Sequence, residues 1–232
     1  MLLDLFLSAF ITLFVVIDPP GCAPIYAGLV KGATHRQALI MAVRACVIAM
    51  LILVVFALFG ENLLGALHIE LNSFRIAGGI MLFVIALDMV FEKRTQRREE
   101  RADKIRATPE VEDVSVFPMA MPMIAGPGSI ATIMLLTQRA QGTTQTLVVL
   151  GALAAVMLLT QRAQGTVETL VVLGALGAVM LLTLGALAAA GPLMKLLGTR
   201  VEAVITRLLG VLLAALAAQY VIDGLKAVLA GV

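Results

Sequence analysis

Long apolar runs constrain this chain more than any other feature of its sequence. They cover about 2–17, 38–60, 74–91, 114–136, 146–160, 167–194 and 203–229. An α-helix needs about 20 apolar residues to cross a hydrocarbon core of roughly 30 Å, and several runs reach that length. With 61% hydrophobic residues among 232, the chain is also too apolar for a soluble domain. The sequence therefore predicts an all-α fold, a polytopic membrane helical bundle whose first partner is the lipid bilayer.

Two of these runs are interrupted by clusters of proline and glycine. The first cluster, 17–24, reads Ile-Asp-Pro-Pro-Gly-Cys-Ala-Pro, and the second, 124–129, reads Ile-Ala-Gly-Pro-Gly-Ser. Proline removes a backbone donor and glycine loosens a helix, so each cluster is predicted to unwind its helix locally. Unwound backbone persists in hydrocarbon only where it is buried in protein or lines a watery cavity. Matched interruptions in two halves of a membrane protein indicate a transport site.

The candidate substrate-binding residues follow from these two breaks. They are Asp18, Pro20, Gly21, Pro24, Gly126, Pro127, Gly128, Ser129 and Thr132. Helix N-termini exposed at a break carry partial positive charge and suit a substrate carboxylate, whereas the structural alternative is a mere kink. Asp18 is either a group on an ion, proton or substrate pathway or a helix cap. The hydroxyls of Ser129 and Thr132 can donate to substrate or to their own backbone.

Charge is concentrated in the linker 92–113, which holds seven Lys and Arg residues interleaved with acids. We interpret it as a solvated loop or surface helix, with contact to anionic lipid as the alternative. The positive-inside rule places this linker and the loop 31–37 in the cytoplasm and the N-terminus outside. The net charge of +2 does not indicate a nucleic-acid partner, because the cationic residues flank membrane spans. The N-terminus lacks the positive region of a signal peptide and is predicted to be a retained span.

The two halves of the chain share a pattern that predicts an inverted repeat. Pro20-Gly21 matches Pro127-Gly128, and further on Arg75 to Gly78 matches Arg207 to Gly210. Three spans per half is an odd number, so the halves should have opposite orientations. The predicted organisation is a first repeat at 1–91, the linker at 92–113 and a second repeat at 114–232. Each repeat begins with a broken helix.

The second repeat also contains a tandem duplication with a period of 23 residues. The copies occupy 134–156 and 157–179 and differ at only three positions. Two copies cannot form a stacked solenoid. The extra apolar run at 143–160 is short for a full span, so a re-entrant or displaced segment is the preferred interpretation and a seventh span the alternative.

Other polar residues do not indicate further chemistry. His35 and His68 are single and have no metal-ligand spacing around them, and no cofactor motif is present. Cys22 and Cys46 are predicted to be small buried hydrophobes without a disulfide. No Ser/His pair, paired aspartates or zinc-ligand motif lies in the spans, so an intramembrane enzyme is disfavoured.

The chain resembles the MarC family of inner-membrane proteins, which is related to the wider LysE-like exporter group. The resemblance rests on the residues of the two breaks, on Phe117-Pro118 through Pro122, on Arg75-Ile-Ala-Gly-Gly and on the closing Val221-Ile-Asp-Gly. It implies a multi-pass protein of the bacterial inner membrane built from two inverted three-helix repeats. Because some archaeal relatives transport small neutral amino acids, it also implies a substrate class.

Together these features predict an integral membrane transporter or exporter of small solutes, with small neutral amino acids as the favoured class. Access would alternate at the paired broken helices, and a proton or a sodium ion is a candidate for coupling. A non-transporting membrane scaffold or assembly protein is the alternative. The sequence leaves a homo-oligomer open.

Overall fold

Helices form almost all of the part of the chain that this computed structural model describes, residues 2–91, 113–140 and 164–230, and no strand occurs within it. The α-helices are α1 (Leu2–Ile17), α2 (Pro19–Leu29), α3 (His35–Ala66), α4 (Leu71–Val90), α5 (Pro127–Ala140), α6 (Gln164–Ala188) and α7 (Ala190–Leu229). A segment of wider helical turns, Ser115–Ile124, precedes α5. The predicted all-α fold is confirmed.

Several of these helices have the length and composition of membrane spans. Five stretches qualify: Leu2–Leu29, His35–Ala66, Leu71–Val90, Val167–Ala188 and Ala203–Leu229. A sixth crossing results if Ser115–Ile124 and Pro127–Thr137, which meet at a bend of 54°, count as one span. Large apolar side chains such as Phe59, Leu181 and Leu208 are exposed on the outside of the bundle, where hydrocarbon accommodates them. The predicted polytopic membrane bundle is confirmed.

The first break is narrower than the sequence predicts. Only Asp18 leaves the helical conformation, with φ 57° and ψ 64° in the left-handed region. Pro19 and Pro20 fit the first turn of α2 because amides there have no acceptor within the helix. A break that extends over 18–21 is therefore too long, because Pro20 and Gly21 belong to α2, as does Pro24.

The second break is wider than the first. Pro118 and Pro122 lack the amide hydrogens that a regular α-helix would need, and Phe117 and Met121 have extended backbones. The bonds that remain span five residues, as in Ala125 N to Ala120 O at 2.8 Å. Regular helix resumes at Pro127 as α5. This run is broken as predicted, but through a ten-residue irregular segment.

The helices of the two halves pack together in defined directions. A Cβ added at Gly79 of α4 would lie 2.9 Å from the Ala217 carbonyl oxygen of α7, and one added at Gly224 of α7 would lie 2.7 Å from Cγ1 of Ile76. These contacts make α4 and α7 antiparallel. An inverted repeat requires that direction of its third helices, although the repeat relation as a whole stays a prediction.

Two further pairs fix the direction of the second broken span. Gly78 of α4 packs on Leu135 of α5, and Gly128 of α5 packs on Leu82 and Ile85 of α4, so α4 and α5 are antiparallel. Near one end of α3, Arg44 pairs with Asp113. Near the other end, Gly60 of α3 contacts Met134 of α5. The second broken span therefore runs parallel to α3.

The last two candidate spans, Val167–Ala188 and Ala203–Leu229, are joined by helical residues. Lys195 and Arg200 lie between these spans and Arg207 near the start of the second, all within α7, which follows α6 after Ala189 alone. The segment 143–160 lies outside the described residues, as does nearly all of the linker 92–113.

Candidate functional site

Asp18 forms the first break. It is 1% exposed, and its Oδ1 accepts a hydrogen bond of 3.1 Å from the Gly21 amide. Its carbonyl accepts from the Cys22 amide at 3.0 Å, which begins the regular bonding of α2. Asp18 is the only charged side chain among the buried residues of the described part of the chain. It therefore caps α2 in this conformation, and its charge faces the positive end of that helix.

Ala125 and Gly126 take the corresponding place at the second break. Ala125 has φ −91° and ψ 62°, and the Gly126 carbonyl accepts from the Ile130 amide at 3.0 Å, which begins the regular bonding of α5. Neither residue has a polar side chain that could cap α5. The two breaks thus differ by one carboxylate.

The two breaks share an unusual hydrogen bond. The Cys22 thiol donates to the Ile17 carbonyl over 3.5 Å, and the Ser129 hydroxyl donates to the Ile124 carbonyl over 2.7 Å. Both bonds reach back five residues, and both are buried. Donor and acceptor of the second bond each lie 107 residues after those of the first. At each break, the carbonyl that precedes the break thus accepts a hydrogen bond from a small polar side chain in the first turn of the following helix.

The two breaks lie close together inside the bundle. A Cβ added at Gly128 would lie 3.6 Å from Cγ1 of Val16, two residues before Asp18. The same Cβ would lie 2.5 Å from Cδ1 of Ile85. A larger residue at position 128 would require the end of the Ile85 side chain to move, whereas its distance to Val16 would be an ordinary van der Waals contact. The structure therefore brings together the two segments that the sequence singled out.

The predicted site residues differ in their burial. Gly21, Gly126, Gly128, Ser129 and Thr132 are buried beside the breaks, as is Asp18. Pro20 and Pro24 are half-buried, and Pro127 is exposed. Pro20 and Pro127 lie in the first turns of α2 and α5, whereas Pro24 lies inside α2.

Thr132 lies one turn into α5 and is fully buried, yet its hydroxyl has no hydrogen-bond partner among the described residues. Buried threonines elsewhere in the helices donate to a carbonyl four residues back, as Thr12, Thr137 and Thr183 do. Thr206 of α7 shares the unpartnered state, but it lies one turn before Gly210 at the α4 interface. Of these two unpartnered hydroxyls, that of Thr132 is the one beside a helix break.

Sequence reasoning missed three polar contacts in the first half of the chain and at the start of the second broken span. Cys22, expected to be a small hydrophobe, donates a hydrogen bond. The hydroxyl of Tyr26 of α2 donates to the Ala38 carbonyl of α3. Arg44 binds Asp113 with 2.8 Å between Nη1 and Oδ2. The Cys22 bond could have been predicted, because Cys22 and Ser129 occupy equivalent positions of the two breaks. The other two contacts depend on the tertiary fold.

The described helices and the paired breaks define a class, that of polytopic helical membrane proteins with two interrupted spans meeting inside one bundle. Metal-binding groups of three or more His, Cys, Asp or Glu residues do not occur in the described ranges. The model of the MarC family of integral membrane proteins matches residues 3–162 and 150–229, and these two matches overlap inside the tandem duplication. The chain belongs to the MarC family.

Named relatives extend along most of the chain. A UPF0056 membrane protein of Archaeoglobus fulgidus is 31% identical over 96% of this chain and 93% of its own length. A UPF0056 membrane protein of Methanocaldococcus jannaschii is 31% identical over 98% of both chains. The UPF0056 inner membrane protein YhgN of Escherichia coli is 32% identical over 62% of this chain and 69% of its own. No solved structure matches.

Proposed function

We propose that this chain is a secondary transporter or exporter of small solutes, with small neutral amino acids as its substrate class. The observation that carries the proposal is the meeting of two broken helices inside the bundle, with Gly128 of one against Val16 of the other. Helix breaks of this kind bring helix termini and unpaired backbone groups to the middle of a membrane, where solutes and ions can bind.

The size and polarity of the surroundings favour a small zwitterion. Next to the breaks lie the small buried side chains of Ala23, Ala125 and Ala131, and Asp18 supplies one buried negative charge. A carboxylate buried in a span is costly unless it serves an ion, proton or substrate. In the proposed mechanism Asp18 accepts the substrate ammonium or a coupled proton, while helix-terminal amides hold the substrate carboxylate. Rocking of the two halves would then alternate access.

The proposed setting is the bacterial inner membrane, since the relative YhgN is named an inner membrane protein. The linker 92–113 would face the cytoplasm and the N-terminus the opposite side. Sodium is the other candidate for coupling. A homo-oligomer is compatible with the exposed apolar surface, which lipid covers equally well.

A membrane scaffold is the second candidate, and one observation favours it. The polar side chains of Asp18 and Ser129 both bond within the protein, because Asp18 caps Gly21 and Ser129 satisfies Ile124. Such breaks could be purely structural bends.

Flux through purified protein in liposomes separates the two functions. Labelled glycine and alanine are offered to protein-loaded and empty liposomes, with and without a proton gradient and with and without sodium. The transporter proposal expects uptake that depends on protein and responds to one of the ions. Equal uptake by loaded and empty liposomes across a broad solute panel would favour the scaffold.

A further inference from the structure

The two breaks differ in what their helix N-termini can bind. Pro19 and Pro20 leave Gly21 as the first amide donor of α2, and Asp18 already occupies it. In α5 only Pro127 lacks an amide hydrogen, so Gly128 and Ser129 both present donors in the first turn. Amides of a first turn have no acceptor within their own helix. The first break is therefore filled by the protein's own carboxylate, whereas the second has none.

Asp18 shows how a carboxylate fits such a break. Its oxygen accepts from the third residue of α2 at the positive end of the helix. The corresponding residue 107 positions later is Ala125, a methyl group in place of a carboxylate. A carboxylate of a bound solute could accept hydrogen bonds from the first-turn amides of α5, as the Asp18 carboxylate does from the Gly21 amide of α2.

A second, independent observation that points to a ligand at this break is the state of the Thr132 hydroxyl. Its hydroxyl is fully buried and without a partner in the described structure. It follows Gly128 by four residues and Ser129 by three, and helical side chains lean toward the N-terminus of their helix. The Thr132 side chain therefore leans toward the turn that presents the two amides. At the first break the corresponding residue is Ile25, which has no polar group.

A buried hydroxyl without a partner is costly, so its presence needs an explanation. Thr137, on the same helix, bonds to the Ile133 and Met134 carbonyls and shows that this helix can satisfy a threonine internally. A ligand that accepts from the hydroxyl would explain the difference.

We propose that the second break binds the carboxylate of the solute, through the first-turn amides of α5 and the Thr132 hydroxyl. The solute ammonium then points toward Asp18 at the first break. This assignment rests on the proposed function and fixes the orientation of the substrate within it. Gly128 and Ser129 contribute backbone donors, so Thr132 is the side chain that sets the preference for a carboxylate.

Substrate fragments test the assignment in liposomes containing the full chain. Alanine uptake is measured in competition with propionate, which lacks the amine, and with alaninamide, which lacks the carboxylate. Thr132→Val should raise the KM for alanine roughly tenfold, as loss of one buried hydrogen bond to a charged group predicts. It should weaken inhibition by propionate by a similar factor and leave inhibition by alaninamide unchanged. Thr132→Ser should restore the KM for alanine and the inhibition by propionate, and Thr137→Val should behave as wild type.

Equal effects of Thr132→Val on both inhibitors, or no effect on either, would overturn the assignment. A second readout separates its failure from that of the proposed function. Propionate should raise the unfolding temperature of the detergent-solubilised wild type and of Thr137→Val more than that of Thr132→Val at the same concentration, because a ligand stabilises the state that binds it. If alanine is not transported and this selective stabilisation remains, the transport proposal fails and the carboxylate site stands. A wild type without stabilisation by propionate contradicts the site itself.

Discussion

Cys22 and Ser129 make equivalent hydrogen bonds at the two helix breaks. Each side chain donates to the carbonyl five residues earlier, Ile17 in one case and Ile124 in the other. A carbonyl at the end of a helix has no amide partner in that helix, and in hydrocarbon water cannot replace it. The shared bond keeps the last carbonyl before each break satisfied.

Removing the hydroxyl at position 129 should destabilise the bundle. Ser129→Ala leaves the buried Ile124 carbonyl without its donor, at a cost of about 1–3 kcal/mol. Ser129→Cys should cost less, since the thiol at Cys22 serves the same purpose in the first half. Unfolding temperatures in detergent micelles check the order. Alanine at least as stable as cysteine would show that the bond is dispensable.

Close packing of α4 on α7 should depend on Gly79. A Cβ there would meet backbone, the Ala217 carbonyl oxygen at 2.9 Å and the Val221 amide nitrogen at 3.0 Å, so the helices must separate. We expect Gly79→Ala to lower the free energy of unfolding by about 1–3 kcal/mol. The matched control is Gly185→Ala in α6, because its Cβ would meet nothing within 4 Å. Similar unfolding curves for both variants would refute this account of the interface.

The ion pair of Arg44 with Asp113 should make the stability of the folded protein depend on pH. Bonds from Ser115 and then the charge of Arg44 lower the pKa of Asp113 below its usual 3.8. A lowered carboxyl pKa stabilises the fold fully above the usual value, and that stabilisation is lost as the pH falls through the lowered one. Both side chains are about half exposed, so the pair contributes less than about 1 kcal/mol.

Asp113→Asn should therefore lower the unfolding temperature slightly at pH 7 and reduce its further fall on acidification toward pH 3. The double variant Arg44→Asp with Asp113→Arg restores opposite charges and should recover part of the loss at pH 7. An unchanged acid response in Asp113→Asn would mean that other carboxylates dominate it.

The directions of the described helices predict the positions of the chain ends. The first broken span precedes α3 by a short loop and runs opposite to it, whereas α7 runs parallel to α5 and hence to α3. Residue 2 and residue 229 should thus lie on the same face of the membrane, with the loop 31–34 on the other. Impermeant labelling of single cysteines at the three places, in a background without Cys22 and Cys46, tests this arrangement. Ends labelled from opposite faces would contradict it.

The sequence predicted the helical class, the spans and both breaks because long apolar runs and proline–glycine clusters act locally. It did not predict that Pro19, Pro20 and Gly21 would be helical and that Asp18 alone would take a left-handed conformation. Prolines break a helix interior, but they fit its first turn, and the sequence alone does not fix where that turn begins. The contact of Arg44 with Asp113 spans 69 residues and needs the assembled bundle.

Uptake of labelled alanine by liposomes containing Asp18→Asn tests the central claim, that the paired breaks form a transport site, most directly. Asparagine keeps an oxygen that can cap Gly21 but removes the charge. We expect at least a tenfold loss of uptake with normal insertion and an unfolding temperature near that of the wild type. Asp223→Asn on α7, where the carboxylate accepts from Gln219, is the matched control and should transport normally. Wild-type uptake by Asp18→Asn would contradict the account.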